Sequence, residues 1–152
     1  MHAVDTTLTS TPTERNAAVL AGALAKVRGI TPQARLPDAT VHPHYMYIFC
    51  IDDVPGRPAV DRARFVDCLI AEGIPAFRAY EALYNIPSFW LDPAPRGTAS
   101  DLAAMCPNSE RVARNGVWIH HRALLGSETD TLDIAKAIEK VLAACDQRET
   151  AK

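Results

Sequence analysis

Residues 44–51 read His44-Tyr45-Met46-Tyr47-Ile48-Phe49-Cys50-Ile51, and the fold class turns on this octet. Its residues are aromatic, β-branched or otherwise apolar at both odd and even positions. Successive side chains of a strand point to opposite faces, so a run without polar alternation predicts a central strand covered on both sides. Downstream, Asp52-Asp53-Val54-Pro55-Gly56-Arg57-Pro58 is turn chemistry. A helix is expected over residues 61–72, with Phe65, Val66, Leu69 and Ile70 on its apolar face and Gly73 as its stop.

Upstream, Thr11-Pro12-Thr13-Glu14 has the form of a capping box with proline at the first helical position. Ala17, Leu20, Ala21, Leu24 and Val27 follow at helical spacing up to Gly29. Residues 30–43, with three prolines, read as an irregular connection. Beyond the second helix, Ile74-Pro75-Ala76-Phe77 is a short extended piece. The proline- and aromatic-rich stretch to Gly97 is too long for an idle connector and predicts a packed functional loop. Short helices are expected over 100–105 and 108–114, and a second strand over Val117-Trp118-Ile119-His120-His121. A last helix from Thr129 or Asp130 carries Leu132, Ile134, Ile138, Val141 and Leu142 inward. This order predicts an α+β layer, a small sheet with helices packed on it. Residues 1–10 are read as a flexible tail, 11–145 as one domain and 146–152 as a second tail.

The chain has 152 residues, 48% hydrophobic and 22% charged, with a net charge of -2. That balance gives no reason to expect nucleic acid or a membrane surface as a partner. The polar N-terminus has no apolar stretch of signal-peptide length, and no run approaches the ~20 apolar residues of a bilayer span, so a cytoplasmic protein is expected.

The histidine pairs His42/His44 and His120/His121 invite a metal reading. Pro43 separates the first pair, adjacent strand residues face opposite sides, and no CxxC or HExxH is present. No metal site is predicted. Cys50, Cys68, Cys106 and Cys145 form no CxxC pair and are read as buried thiols; Cys106 precedes a proline at a helix start but has no adjacent base. GxSxG, GxGxxG and Walker signatures are absent. Tyr45, Tyr80, Tyr84, Phe89, Trp90, Arg78, His121 and Arg122 gather in loop-prone regions. On composition this set reads equally as the rim of a small-molecule site or as aromatic packing within a proline-rich loop.

Several segments, in order, resemble the C-terminal domain of the DegT/StrS family of pyridoxal-phosphate (PLP) aminotransferases, in its aminocyclitol and 3-amino-5-hydroxybenzoate synthase branch. They are Glu14-Arg15-Asn16-Ala17, His44-Tyr45-Met46-Tyr47-Ile48-Phe49, Arg64-Phe65, Ala71-Glu72-Gly73-Ile74-Pro75, Leu83-Tyr84 with Pro87-Ser88-Phe89, Cys106-Pro107-Asn108-Ser109-Glu110-Arg111, and Val117 through Gly126. The resemblance spans roughly residues 14–145. It implies the small domain of a fold-type I aminotransferase, with a mostly antiparallel sheet, which packs on a large cofactor domain and helps close the substrate pocket. Glu81-Ala82 depart from the family loop, which usually carries proline there.

The large domain has no counterpart in these residues, nor has its Schiff-base lysine. The four lysines present, Lys26, Lys136, Lys140 and Lys152, fall near helix ends, on amphipathic helices or at the last residue. None is read as a catalytic amine, so no catalytic residue is assigned. PLP is expected only where a separate large domain supplies its site, and none for the chain alone. The implied partner is a PLP-binding large-domain chain or a homologous aminotransferase, with self-association through an uncovered apolar face as a further expectation. His121 and Arg122, then Tyr45 and Tyr84, are the substrate-rim candidates. The alternative is a non-catalytic binding or regulatory module derived from an aminotransferase.

Overall fold

The computed structural model describes residues 11–39, 42–91 and 97–149, the last four of these by their backbone only. The N-terminal tail reading falls on residues 1–10, outside the described residues.

Four antiparallel strands form one sheet: β1 (Ile30–Pro32), β2 (Met46–Ile51), β3 (Ala76–Arg78) and β4 (Gly116–His120), in the order β1-β2-β4-β3. Among the described residues five α-helices accompany them: α1 (Pro12–Leu24), α2 (Arg62–Ala71), α3 (Ala99–Met105), α4 (Pro107–Asn115) and α5 (Glu128–Glu149). The architecture is α+β, as expected.

Strand register and burial identify the closed face of the sheet. Tyr47, Phe49 and Ile51 alternate along β2, and across the β2–β4 ladder Tyr47 pairs with Ile119 and Phe49 with Val117. All five are buried, together with Leu20 and Leu24 of α1, Phe65 and Leu69 of α2, and Ile134, Ile138, Val141 and Leu142 of α5. Phe49 meets Phe65 edge-on at 6.4 Å between ring centroids. Three helices therefore close one face.

The other face is only partly closed. At its near end α4 contacts β2 and β4, and Arg111 clamps Asp52 with bonds of 2.8–3.0 Å. Cys50 and Gly116 are buried there. A methyl group on Gly116 would stand 2.5 Å from the Val112 carbonyl and 2.7 Å from Ala79 Cβ, so the close approach of α4 requires glycine. Further along, Met46, Ile48 and Trp118 are half-buried. Phe77, 43% exposed, stacks on Trp118 at 4.2 Å. The expectation that the octet is covered on both sides is thus met on one face and, on the other, only at its Cys50 end.

Other departures are local. Ile30–Pro32, read as irregular connection, pairs with Ile51, Cys50 and Phe49 as an edge strand, where a proline is tolerated. Strand β2 starts at Met46 rather than His44, because His44 has a positive φ of 44° that ends the extended run. Ile70, assigned to the apolar face of α2, is 52% exposed. The last helix starts earlier than read, because Ser127 and Asp130 cap it reciprocally. Its inward stripe begins at Thr131, 0% exposed, and Leu132 is left 37% exposed. The backbone of α5 is helical to Glu149, past the boundary placed at residue 145. Between β3 and α3, Leu83–Asn85 and Pro87–Trp90 form two 3₁₀ turns.

Candidate functional site

The rim candidates sort by the end of the sheet to which the chain brings them. Strands β2 and β4 are antiparallel, and Met46 lies opposite His120. The residue before β2 and the residue after β4 are therefore neighbours in space. Tyr45, 71% exposed, stacks on His121 with ring centroids 6.3 Å apart and planes 24° from parallel. His121 opens a 3₁₀ turn (His121–Leu124) and so leaves the strand alternation; its ring lies 4.4 Å from that of His120. Adjacent histidines were expected on opposite faces, and the turn is why these two are not. The His120 Nδ1 accepts from the Arg122 backbone N–H at 3.2 Å and caps the turn. Burial, then the neighbouring His121 and Arg122, lower the pKa of His120.

Arg122 is exposed and lines a recess of about 510 Å³ with Ile70, Gly73, Ile74, Pro75, Ala76, Phe77 and Ala123. This recess adjoins the open sheet face through Phe77. His121, Arg122 and Tyr45 thus share one end of the sheet. Tyr84 does not join them. It is 6% exposed and donates its hydroxyl to Glu110 Oε1 at 2.6 Å. That hydrogen bond is the main reason its pKa is pushed up to about 12. The loop aromatics also pack on one another: Trp90 donates Nε1–H to the Tyr84 carbonyl at 2.9 Å and meets Phe89 edge-on.

Two features of this end were not read from the sequence. The first is a set of buried polar atoms with no hydrogen-bond partner among the described residues, namely His121 Nδ1, His44 Nδ1 and the Tyr47 hydroxyl. Buried polar atoms are nearly always paired, so their clustering marks this end of the sheet. Burial raises the Tyr47 pKa, and burial, followed by the charge of His42, lowers that of His44, with Glu14 acting in the opposite sense. The second is Asn16, 7% exposed, whose Nδ2 donates to the carbonyls of Leu124 and Gly126 at 2.9 Å each. This side chain ties α1 to the segment that follows the His121 turn. Asn16 stood within a matched segment, but nothing in its surroundings along the chain indicated a partner more than a hundred residues away.

Among the described residues no group of three or more His, Cys, Asp or Glu side chains is placed to hold a metal. Cys50 is buried, and burial pushes its thiol pKa up. Cys68, Cys106 and Cys145 are half-buried rather than buried. Lys26 is exposed; Lys136 and Lys140 are 72% and 68% exposed and paired with Asp133 and Glu72. A PLP-bearing amine has to be desolvated beside its cofactor, so these three lysines do not fit that group. Lys152 lies outside the described residues. No described helix is long and apolar enough to cross a membrane.

Residues 4–139 match the model of the DegT/DnrJ/EryC1/StrS aminotransferase family. The 3-amino-5-hydroxybenzoate synthase of Amycolatopsis mediterranei (strain S699) is 34% identical over 125 residues, which cover 82% of this chain and 31% of that protein. The L-glutamine:2-deoxy-scyllo-inosose aminotransferase of Streptomyces kanamyceticus is 36% identical over 139 residues, covering 84% and 32%. The crystal structure of 3-amino-5-hydroxybenzoic acid synthase superposes with a TM-score of 0.77 at 30% identity, over 88% of this chain and 34% of that one. The chain spans about a third of the length of the relatives it matches.

Proposed function

The chain belongs to the DegT/DnrJ/EryC1/StrS aminotransferase family, and on that premise we propose that it acts as the small domain of a PLP-dependent sugar or aminocyclitol aminotransferase, docked on a PLP-binding large domain carried by another chain. PLP supplies the electron sink of transamination, and in this reading the large domain provides it. This chain supplies a docking face and part of the substrate rim.

The observation that carries the reading is the open sheet face. Phe77 and Trp118 stack there in partial solvent contact, directly beside the Arg122 recess and the Tyr45–His121 pair. Apolar surface of this kind, continuous with polar groups at one edge, is what an interface with a site at its border requires. On docking, the His121 ring, stacked on Tyr45, would border the substrate, Tyr45 would orient a hydroxyl, and Arg122 would pair with a carboxylate or phosphate. Tyr84, held by Glu110, instead braces α4 at the Cys50 end of the sheet. The closeness to aminohydroxybenzoate and inosose enzymes supports a hydroxylated cyclic keto substrate.

The test is a PLP titration followed by the visible spectrum, on the chain alone and on the chain co-expressed with an aminotransferase large domain. The expected result is no band of protein-bound PLP with the chain alone. In the complex, a band and transamination that depend on this chain are expected. A band with the chain alone would overturn the lysine argument. Binding to a complete homologous aminotransferase that alters its activity, with no large domain accepted, would favour a regulatory module instead.

A further inference from the structure

At the opposite end of β4 from His121, roughly 13 Å away at a strand rise of about 3.3 Å per residue, three arginines meet around a second recess. Arg62, Arg78 and Arg114, with Asn115, line a cavity of about 480 Å³ between the start of α2, the end of β3 and the end of α4. Arg62 is half-buried, and its Nη1 donates to the carbonyls of Ala113 and Gly116. These are carbonyls at the C-terminal end of α4, where helical partners run out, so the guanidinium is held in place by backbone.

The local charges are unbalanced. No described carboxylate forms an ion pair with Arg62, Arg78 or Arg114. Asp53 and Asp61 also line the recess, but Asp61 is committed to capping α2, accepting from the backbone of Ala63 and Arg64. Among the described residues, Arg114 is hydrogen-bonded only to its neighbour Asn115, through Nε. Burial and the charge of Arg78 both lower the pKa of Arg62, against an opposing effect of Glu81. Guanidiniums brought together around one cavity repel each other. Planar forks that can grip two oxygens at once are suited to phosphate.

We propose that this recess is an oxyanion site for a phosphorylated small molecule, gripped by Arg78 and Arg114 over an anchored Arg62. The site is separate from the substrate rim and does not depend on the docked large domain, so it is testable on the full chain by itself. The probe is inorganic phosphate, followed by thermal shift and calorimetry at constant ionic strength against chloride.

Phosphate is expected to raise the melting temperature in a saturable way. R78Q should weaken phosphate binding about ten-fold or more, the loss typical of one charged hydrogen-bonding partner. Because Arg78 is exposed and unpaired among the described residues, R78Q should melt like the wild type without phosphate. K136Q, on the exposed face of α5 and outside both recesses, should keep the full response. No response beyond chloride, an R78Q response equal to wild type, or succinate acting as well as phosphate would each overturn the assignment.

Discussion

Asn16 offers the sharpest test of how the rim is held. Its amide donates both N–H groups to carbonyls of the Leu124–Gly126 segment at 2.9 Å, from a side chain 7% exposed. Asn16→Ala removes both donors and leaves two acceptors behind. An orphaned buried acceptor costs about 1–3 kcal/mol. The Leu124 carbonyl, in a buried bond, belongs near the upper end; the part-buried Gly126 carbonyl, which water can reach, belongs near the lower. The expected total is about 2–4 kcal/mol, and at about 2–4 °C per kcal/mol for a domain of this size the melting temperature should fall by roughly 4–16 °C. Asn16→Asp separates hydrogen bonding from shape, since an ionised carboxylate only accepts and would face two carbonyls. It should be worse than alanine at neutral pH and recover in part in acid, where the carboxyl regains one donor. Thermal melts from pH 3.5 to 7.5 read both effects, and the His121 ring resonances report whether the turn loosens. A loss below 2 °C for Asn16→Ala, or an aspartate variant with no acid recovery, would refute the tether.

Phe49→Ala, at 1% exposure between sheet and helices, should cost about 3–5 kcal/mol, whereas Trp118→Ala, on the open face, should cost clearly less and instead weaken self-association or large-domain docking; denaturant titration and analytical ultracentrifugation separate the two. Burial disfavours ionisation of Asp52, but hydrogen bonds from Arg111 and Thr31 outweigh it and hold its carboxyl below the usual range. A carboxyl depressed in the folded state contributes stability above its unfolded pKa and loses it as pH falls through the folded value. Asp52→Asn should therefore flatten the acid limb of the stability profile below about pH 4, and an unchanged limb would show that the clamp contributes nothing.

Segments with their own pattern or turn signals were legible, short helices included, whereas the edge strand at Ile30 was not. The octet around Phe49, the helices and the Trp118 strand carry their own pattern, and all appear within a few residues of where it put them. Ile30–Pro32 has three residues and a proline, so only its partner strand could reveal it. Leu132 was misplaced because it is apolar, whereas the buried stripe, at three- and four-residue spacing through Thr131, Ile134, Ile138 and Val141, has a threonine at its first position. Trp118 is apolar enough for a core, yet no pattern along one strand says which sheet face lacks a cover. At the rim, the octet and the HHR segment pointed to one another only through family resemblance. The antiparallel register brings Tyr45 to His121, while Tyr84 is drawn away by Glu110, a partner no spacing rule connects to it.

The strand order has a consequence for synthesis. Tyr47 and Ile119 are neighbours across the two central strands, and the first helix packs on the last. During translation the octet emerges long before the strand that flanks it, and α1 must wait for α5. For most of that interval the strand richest in aromatic residues has only the short β1 edge to pair with. Non-local pairing of this kind is slow and leaves apolar strand edges open to neighbouring chains. Ribosome-bound fragments ending before Gly116 should therefore bind chaperones, and release from them should coincide with the emergence of α5 from the exit tunnel.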